Sequence, residues 1–427
     1  MPRLCARTGP ISVALLVISL ARPALLAAQG DLGAFDRGMR AYAEGRWADA
    51  YADLRRAHEA LPQHPGLAWT AARAAARAGQ GDAAVALLRH VAAFGVDMPT
   101  ADTAFAALRG DAAFQAVARE LAAHAAPLVA SDTAFVLPDP DLVPEALAHD
   151  RRDGAFYVGS LAKRKVVRVT RGAAARDFAG VRGDSLLPVL GLKVDAARGA
   201  LWVNTARQAA GTIPGATALV ELDLATGAVR ARYVPADTGA HFFNDLVVAA
   251  DGRVFLTDSD GGAVWRLDPG ARTPVPLVPR GRFIYPNGIA LAADGRVYVA
   301  HAAGLSVLDP ATGRDAPVAA PPDVTTAGID GLYAHGRCLV GVQGFGVGAD
   351  RVIRLELDPS GRRVASARVL ERAHPAYEAP TTGALVGDTL YYIANSQLRR
   401  LAPDGSLAPA AKPRPTVVLQ LPVGCDG

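Results

Sequence analysis

Six stretches of this chain repeat one another, and that recurrence restricts the fold more than any other feature. They read VPEALAHDRRDGAFYVGS from Val143, LLPVLGLKVDAARGALWVNT from Leu186, FFNDLVVAADGRVFLTDS from Phe242, YPNGIALAADGRVYVAH from Tyr285, AGIDGLYAHGRCLVGVQ from Ala327 and APTTGALVGDTLYYIAN from Ala379. Each holds a loop, a strand, a turn and a second strand rich in aromatic or β-branched residues. Most run on into a third strand such as AVWRLD. Six units of about 45 residues suit four strands per blade of a six-bladed β-propeller. A β-helix needs much shorter rungs, and a sandwich would not repeat. The fold expected over 143–427 is therefore mainly β, a six-bladed propeller. In such a ring the loops leading into the innermost strands converge on one face, so residues far apart in sequence meet at the axis.

The stretch 31–126 reads differently. It is rich in Ala, Leu and Arg, poor in β-branched residues, and carries apolar positions at helical spacing. Gly38, Ala41, Ala50, Leu54, Ala57 and Pro62 fall where a tetratricopeptide pattern wants small, small, small, large, small and Pro. A shift of 34 residues lands on Ala72, Ala75, Ala84, Leu88 and Val91, again small or apolar. Antiparallel helices that pack closely tolerate little side-chain volume at their contacts. Two repeats are few for a free-standing array, so the segment is expected either to dock on the propeller or to offer a groove to a protein partner. Residues 100–126 would add capping helices, and 127–142, with Pro138-Asp139-Pro140, reads as a linker.

Residues 1–28 have the layout of a cleaved signal peptide: Arg3 and Arg7, an apolar run from Ile11 to Leu20, and small residues at Ala27 and Ala28. The expected location is periplasmic or secreted, with no membrane attachment after cleavage. The formal net charge of +4 includes Arg3, Arg7 and Arg22; removing those three leaves +1. No Lys/Arg block stands out, so nucleic acid is not an expected partner. Beyond Cys5 in the leader, the chain has two cysteines, Cys338 and Cys425, which could pair in an oxidising compartment. The sequence has no GxxxxGK[ST], HExxH, GxSxG or CxxC, so the signatures of nucleotide, zinc-protease and serine-elbow chemistry are missing.

One column of the repeat carries chemistry. Just before the first strand stand Glu145 in Pro-Glu-Ala, Asn244 in Phe-Asn-Asp, Asn287 in Pro-Asn-Gly and Asp330 in Ile-Asp-Gly. Two carboxylates and two amide oxygens aimed at one axis would repel or go unsatisfied without a cation. A hard divalent ion, calcium before zinc, manganese or magnesium, suits such oxygens. Turn chemistry accounts for Asn287-Gly288 taken alone, but less readily for four oxygen-bearing residues in one register.

On Pro144-Glu145, Phe243-Asn244-Asp245, Pro286-Asn287-Gly288-Ile289 and Asp330-Gly331-Leu332, the region from 143 onward resembles the SMP-30/gluconolactonase/LRE-like propellers, and less closely the paraoxonase-type arylesterases. The resemblance implies that Glu145, Asn287 and Asp330 hold the metal, that Asn244 contacts substrate or completes the shell, and that Asp330 accepts a proton from water. It implies hydrolysis of a small-molecule lactone or ester. Phe242 stands where family lactonases often carry Arg, which points to a more apolar substrate than a sugar lactone. The alternative is a non-enzymatic recognition scaffold with a structural ion or none. A second column, Ser160, Asn204, Asp258, His301, Gln343 and Asn395, is expected to bond between blades. His241 and His301 are candidate proton carriers, each expected to be structural.

Overall fold

The computed structural model describes residues 33–425, apart from 171, 181–185, 210–213, 345–347, 349, 403–405 and 409–411. The expected signal peptide, residues 1–28, and Cys5 within it lie outside the described residues. Six four-stranded antiparallel sheets form the ring. Their innermost strands are Pro144–Asp150, Val189–Asp195, Phe243–Val248, Ile289–Leu291, Ile329–His335 and Gly383–Val386, here numbered blades 1 to 6. Five blades run outward in chain order. The sixth does not: its outermost strand is Asp132–Leu137, which pairs with Thr416–Pro422 near the other end of the chain. The expected linker 127–142 is thus corrected, because it supplies the strand that closes the ring. The open edge of blade 6 would otherwise leave a row of unpaired backbone groups, and the short apolar run Ala134–Leu137 fills it.

Neighbouring inner strands approach too closely for a side chain at certain points. A Cβ at Gly191 would sit 2.5 Å from the carbonyl oxygen of Asn244, and one at Gly288 would run into the carbonyl of Asp330. The glycine after Asn287 therefore answers to crowding between blades and does not mark a turn.

Ahead of the ring lie four helices in two antiparallel pairs: α1 (Gly33–Ala43), α2 (Trp47–Ala60), α3 (Pro65–Arg77) and α4 (Gly81–Ala93). Gly38 is where the first pair touches, since a Cβ there would meet Leu54 Cγ at 2.7 Å. A 3-10 turn, Thr103–Leu108, and α5 (Ala112–His124) follow, capped by the side chains of Asp102 and Asp111. The turn covers the exposed flank of α3, where Trp69 Nε1 donates to Pro99 O (3.3 Å) and Arg73 pairs with Asp102 (3.0 Å). Among the described residues no helix is long and apolar enough to cross a membrane.

Of the two expected arrangements, the helices adopt the docked one. Leu61 packs against Ile284, and Thr325 Oγ1 donates to Gln63 O (2.6 Å). Arg351 crosses the junction fully buried, donating to Phe94 O (3.1 Å), Gly95 O (3.2 Å) and Gln343 Oε1 (2.6 Å). Burial lowers its pKa to about 10. The contacts fall on the loops before the inner strands of blades 4 and 5 and at the ends of their second strands, so the helices rest on the face where the axial residues emerge.

Two predictions follow from this junction. Arg351→Ala should cost about 2–4 kcal/mol, because two buried acceptors and a half-buried one lose their donor. Chemical denaturation and faster proteolysis around 126–131 would report it; an unchanged profile would contradict the docking role. His64 and His301 also lie here, and burial lowers both to about 4. With folded values below the unfolded 6.5, their contribution is complete above about pH 6.5 and is lost as pH falls toward 4. Melting temperature measured against pH should fall across that window, and more shallowly in His64→Gln or His301→Gln.

Candidate metal centre

The approach to the axis has a common backbone device. Two residues before Glu145, Asn287, Asp330 and Thr381, the chain adopts a left-handed conformation: φ is 43° at Val143, 50° at Tyr285, 67° at Gly328 and 57° at Ala379. For the three that are not glycine this is strained, and such strain persists only where the surroundings impose it. It turns the chain so that the residue two places on enters the ring. Leu190 and Asn244 occupy the corresponding positions in blades 2 and 3.

Bonds from adjacent blades fix the backbone of this ring. Thr382 Oγ1 donates to the carbonyl of Glu145. Asn204 Nδ2 donates to Asn244 O (3.2 Å) and Asp245 O (3.0 Å), and Thr257 Oγ1 to Asn287 O (2.7 Å). The side chains are less well served. Asn287 Nδ2 donates to Asp330 Oδ1 (2.7 Å), and Asn244 Nδ2 to Ser259 Oγ (3.1 Å). Glu145 Oε2, Asn287 Oδ1 and Asp330 Oδ2 are buried with no hydrogen-bond partner, and the Thr381 hydroxyl lies beside Glu145. An unpaired buried oxygen carries a desolvation penalty of about 1–3 kcal/mol, so three on one axis call for a ligand.

Electrostatics repeat the point. Burial, then the charge of Asp330, pushes Glu145 well above the usual carboxylate range, against the hydroxyl of Thr381. Burial pushes Asp330 up to about 7, with Asp245 adding to the rise and the amide of Asn287 opposing it. Glu145 is 5% exposed and Asp330 1%. Asp245 is also buried, but its oxygens accept from Leu246 N (2.8 Å) and Ile289 N (3.3 Å), so it belongs to the wall. Tyr285 stands beside Asp260, Asp330 and Glu145, and burial first, then their charges, raises its hydroxyl. Among the described residues no three His, Cys, Asp or Glu side chains gather at metal-binding spacing. The donors here are two carboxylates, an amide and a hydroxyl, all hard oxygens that fit a divalent cation of the calcium type.

The column expected from sequence is therefore brought together: Glu145, Asn287 and Asp330 share the axis, with Asn244 in the same ring. Thr381 was missed, although Ala379-Pro380-Thr381 repeats the offset of Val143-Pro144-Glu145. Tyr285 was missed because only its backbone handedness marks it.

The two histidines have structural partners. His241 faces Asp258 Oδ2 (2.6 Å) and Asp237 Oδ1 (2.8 Å) through its two ring nitrogens. Burial works against its charge, yet Asp258 and Asp237 hold its pKa above the ordinary value. Asp258 also receives Trp265 Nε1 (3.1 Å) and the backbone of Phe242 (2.8 Å) and Gly261 (2.9 Å). His301 stacks on Phe283 at 4.8 Å, meets Ser306 Oγ (3.0 Å) and accepts from Ala303 N (3.2 Å). The rest of the second column bonds to backbone or neighbouring side chains: Ser160 to Leu142 O, Gln343 to Thr325 O (3.1 Å), and Asn395 to Pro415 O (2.9 Å) and Val417 N (2.7 Å).

A family model described as tetratricopeptide repeat matches residues 41–112. No match is found among curated proteins. Among solved structures, a gluconolactonase from Xanthomonas campestris is similar at 16% identity, covering 69% of this chain and 95% of its own, with a TM-score of 0.47. A luciferin-regenerating enzyme aligns at 15% identity over 71% of this chain and 97% of its own, TM-score 0.49. An aldose sugar dehydrogenase from Streptomyces coelicolor, bound to PQQ, aligns at 15% identity over 69% and 99%, TM-score 0.47. Likeness of this degree carries no chemistry across. The chain is a six-bladed β-propeller with a docked N-terminal helical segment that matches the tetratricopeptide-repeat model.

Proposed function

We propose that the axial ring holds one divalent cation, calcium in the first instance, and that the protein uses the site to hydrolyse a small lactone or ester outside the cytoplasm. The observation that carries this reading is the convergence of partnerless buried oxygens on Glu145, Asn287 and Asp330, from three different blades. Those three residues would hold the ion, with Thr381 beside them. When bound, a divalent ion supplies Lewis acidity toward a carbonyl oxygen and acidifies water.

The chain's own groups supply the rest. Asn287 Nδ2 fixes the plane of the Asp330 carboxylate, and we assign Asp330 as proton acceptor. Asn244, held by Ser259, lies on the same ring and orients the substrate. Leu190 gives the ring one apolar side, and Phe242, half-buried two residues before Asn244, adds to it. This lining suits a substrate less polar than a sugar lactone. Residues 1–28 support export.

A second reading has its own observation: the helices rest on the face that bears the site, and the carboxylates are almost wholly enclosed. In a recognition scaffold the ion would be structural.

The two readings share a first step and part at the second. Protein stripped with chelator should gain melting temperature with calcium, since an ion at a hundredfold its Kd contributes about 2.7 kcal/mol. Glu145→Gln and Asp330→Ala should lose that gain, while being at least as stable as the wild type without ion because like-charge repulsion is relieved. Thr381→Val should fold and bind the ion more weakly, on the order of tenfold. Hydrolysis of apolar lactones or esters, abolished in Asp330→Ala, would establish the enzyme. An ion effect without hydrolysis would leave the scaffold, and no effect of any divalent ion would overturn the site.

A further inference from the structure

Away from the axis, the end of the chain meets a second cysteine. Cys338 opens the second strand of blade 5, Cys338–Gln343, and Cys425 follows the last strand of blade 6 by three residues. The tail between does not leave the surface. Val423 N donates to Asp388 O (2.9 Å), and Asp388 receives Gly424 N and Cys425 N, each at 3.1 Å. From blade 5, Arg354 Nη1 donates to Val423 O (3.1 Å). These bonds bring Cys425 into the neighbourhood of Cys338. Both side chains are buried in one apolar cluster with Tyr333, Val340, Tyr392 and Leu421.

The pair has few uses other than a bond. Among the described residues no further His, Cys, Asp or Glu joins it to make a metal site. Burial and the neighbouring thiol raise the Cys425 pKa, the opposite of what a nucleophile requires. We propose that Cys338 and Cys425 form a disulfide in the mature protein. Two thiols lose two protons and two electrons and gain one S–S bond, and the acceptor is a disulfide of an oxidoreductase or of oxidised glutathione, which becomes two thiols. The cross-link secures the end of Thr416–Pro422, the strand that Asp132–Leu137 pairs with to close the ring. It encloses residues 338–425, a loop long enough for a large effect on the unfolded chain.

The test uses the full chain, equilibrated with oxidised glutathione, then denatured and treated with an alkylating reagent without reductant. Peptide mapping should find Cys338 and Cys425 unalkylated and joined in one peptide that is two hydrogens lighter than its reduced halves, with Cys5, where present, alkylated separately. Reductant should lower the melting temperature by roughly 5 °C, and Cys425→Ser and Cys338→Ser should each abolish that response. Both cysteines alkylated after oxidant treatment would overturn the proposal, as would Cys338 or Cys425 joined to Cys5. The readout does not depend on any ion or substrate, so its failure leaves the axial site untouched.

Discussion

Two buried carboxylates, Glu145 and Asp330, lie together near the axis, neither in an ion pair among the described residues, and much of the surrounding architecture keeps them there. Like charges at short range in a poorly solvated site separate if they can. Here they cannot. Three strained left-handed residues, at Val143, Tyr285 and Ala379, aim the chain inward, and glycines at 191 and 288 let adjacent strands close up. Side chains from neighbouring blades clamp the backbone carbonyls of Glu145, Asn244 and Asn287. The strain, the crowding and the repulsion are all destabilising on their own. The proposed cation would offset the repulsion and satisfy the partnerless oxygens together, so that one ligand would answer several unfavourable features.

The helical segment belongs to the same design. It meets the propeller through Leu61, Gln63, Phe94 and Gly95, and its counterparts on the ring are Ile284, Thr325 and Arg351. Ile284 adjoins Tyr285 and stands three residues before Asn287; Thr325 stands five before Asp330. Blades 4 and 5 thus carry both the docking surface and two of the axial oxygens. The covered flank of α3, filled by Pro99 and Asp102, shows that part of the repeat surface is occupied by the chain itself.

The sequence made the ring legible because each blade restates the same turn and aromatic strand. Ring closure was hidden: a short apolar run between Ser131-Asp132 and Pro138-Asp139-Pro140 looks like punctuation until its partner at 416–422 is known. The axial column was readable wherever the residue carries a carboxylate or amide. Thr381 escaped because threonine beside a strand reads as an ordinary β-former, and Leu190 because it has no polar atom. Arg351 escaped for the opposite reason. An arginine at a strand end reads as solvated surface, and only docking of the helices explains why it is buried.

Anomalous diffraction would reveal a cation on the axis without any assay of activity. A crystal of chelator-treated protein, soaked in manganese and measured at the manganese edge, should show one strong peak on the propeller axis. That peak should lie at ligating distance, roughly 2.0–2.6 Å, from Glu145 Oε2, Asn287 Oδ1 and Asp330 Oδ2. No peak there, with those oxygens hydrogen-bonded to ordered water instead, would contradict it.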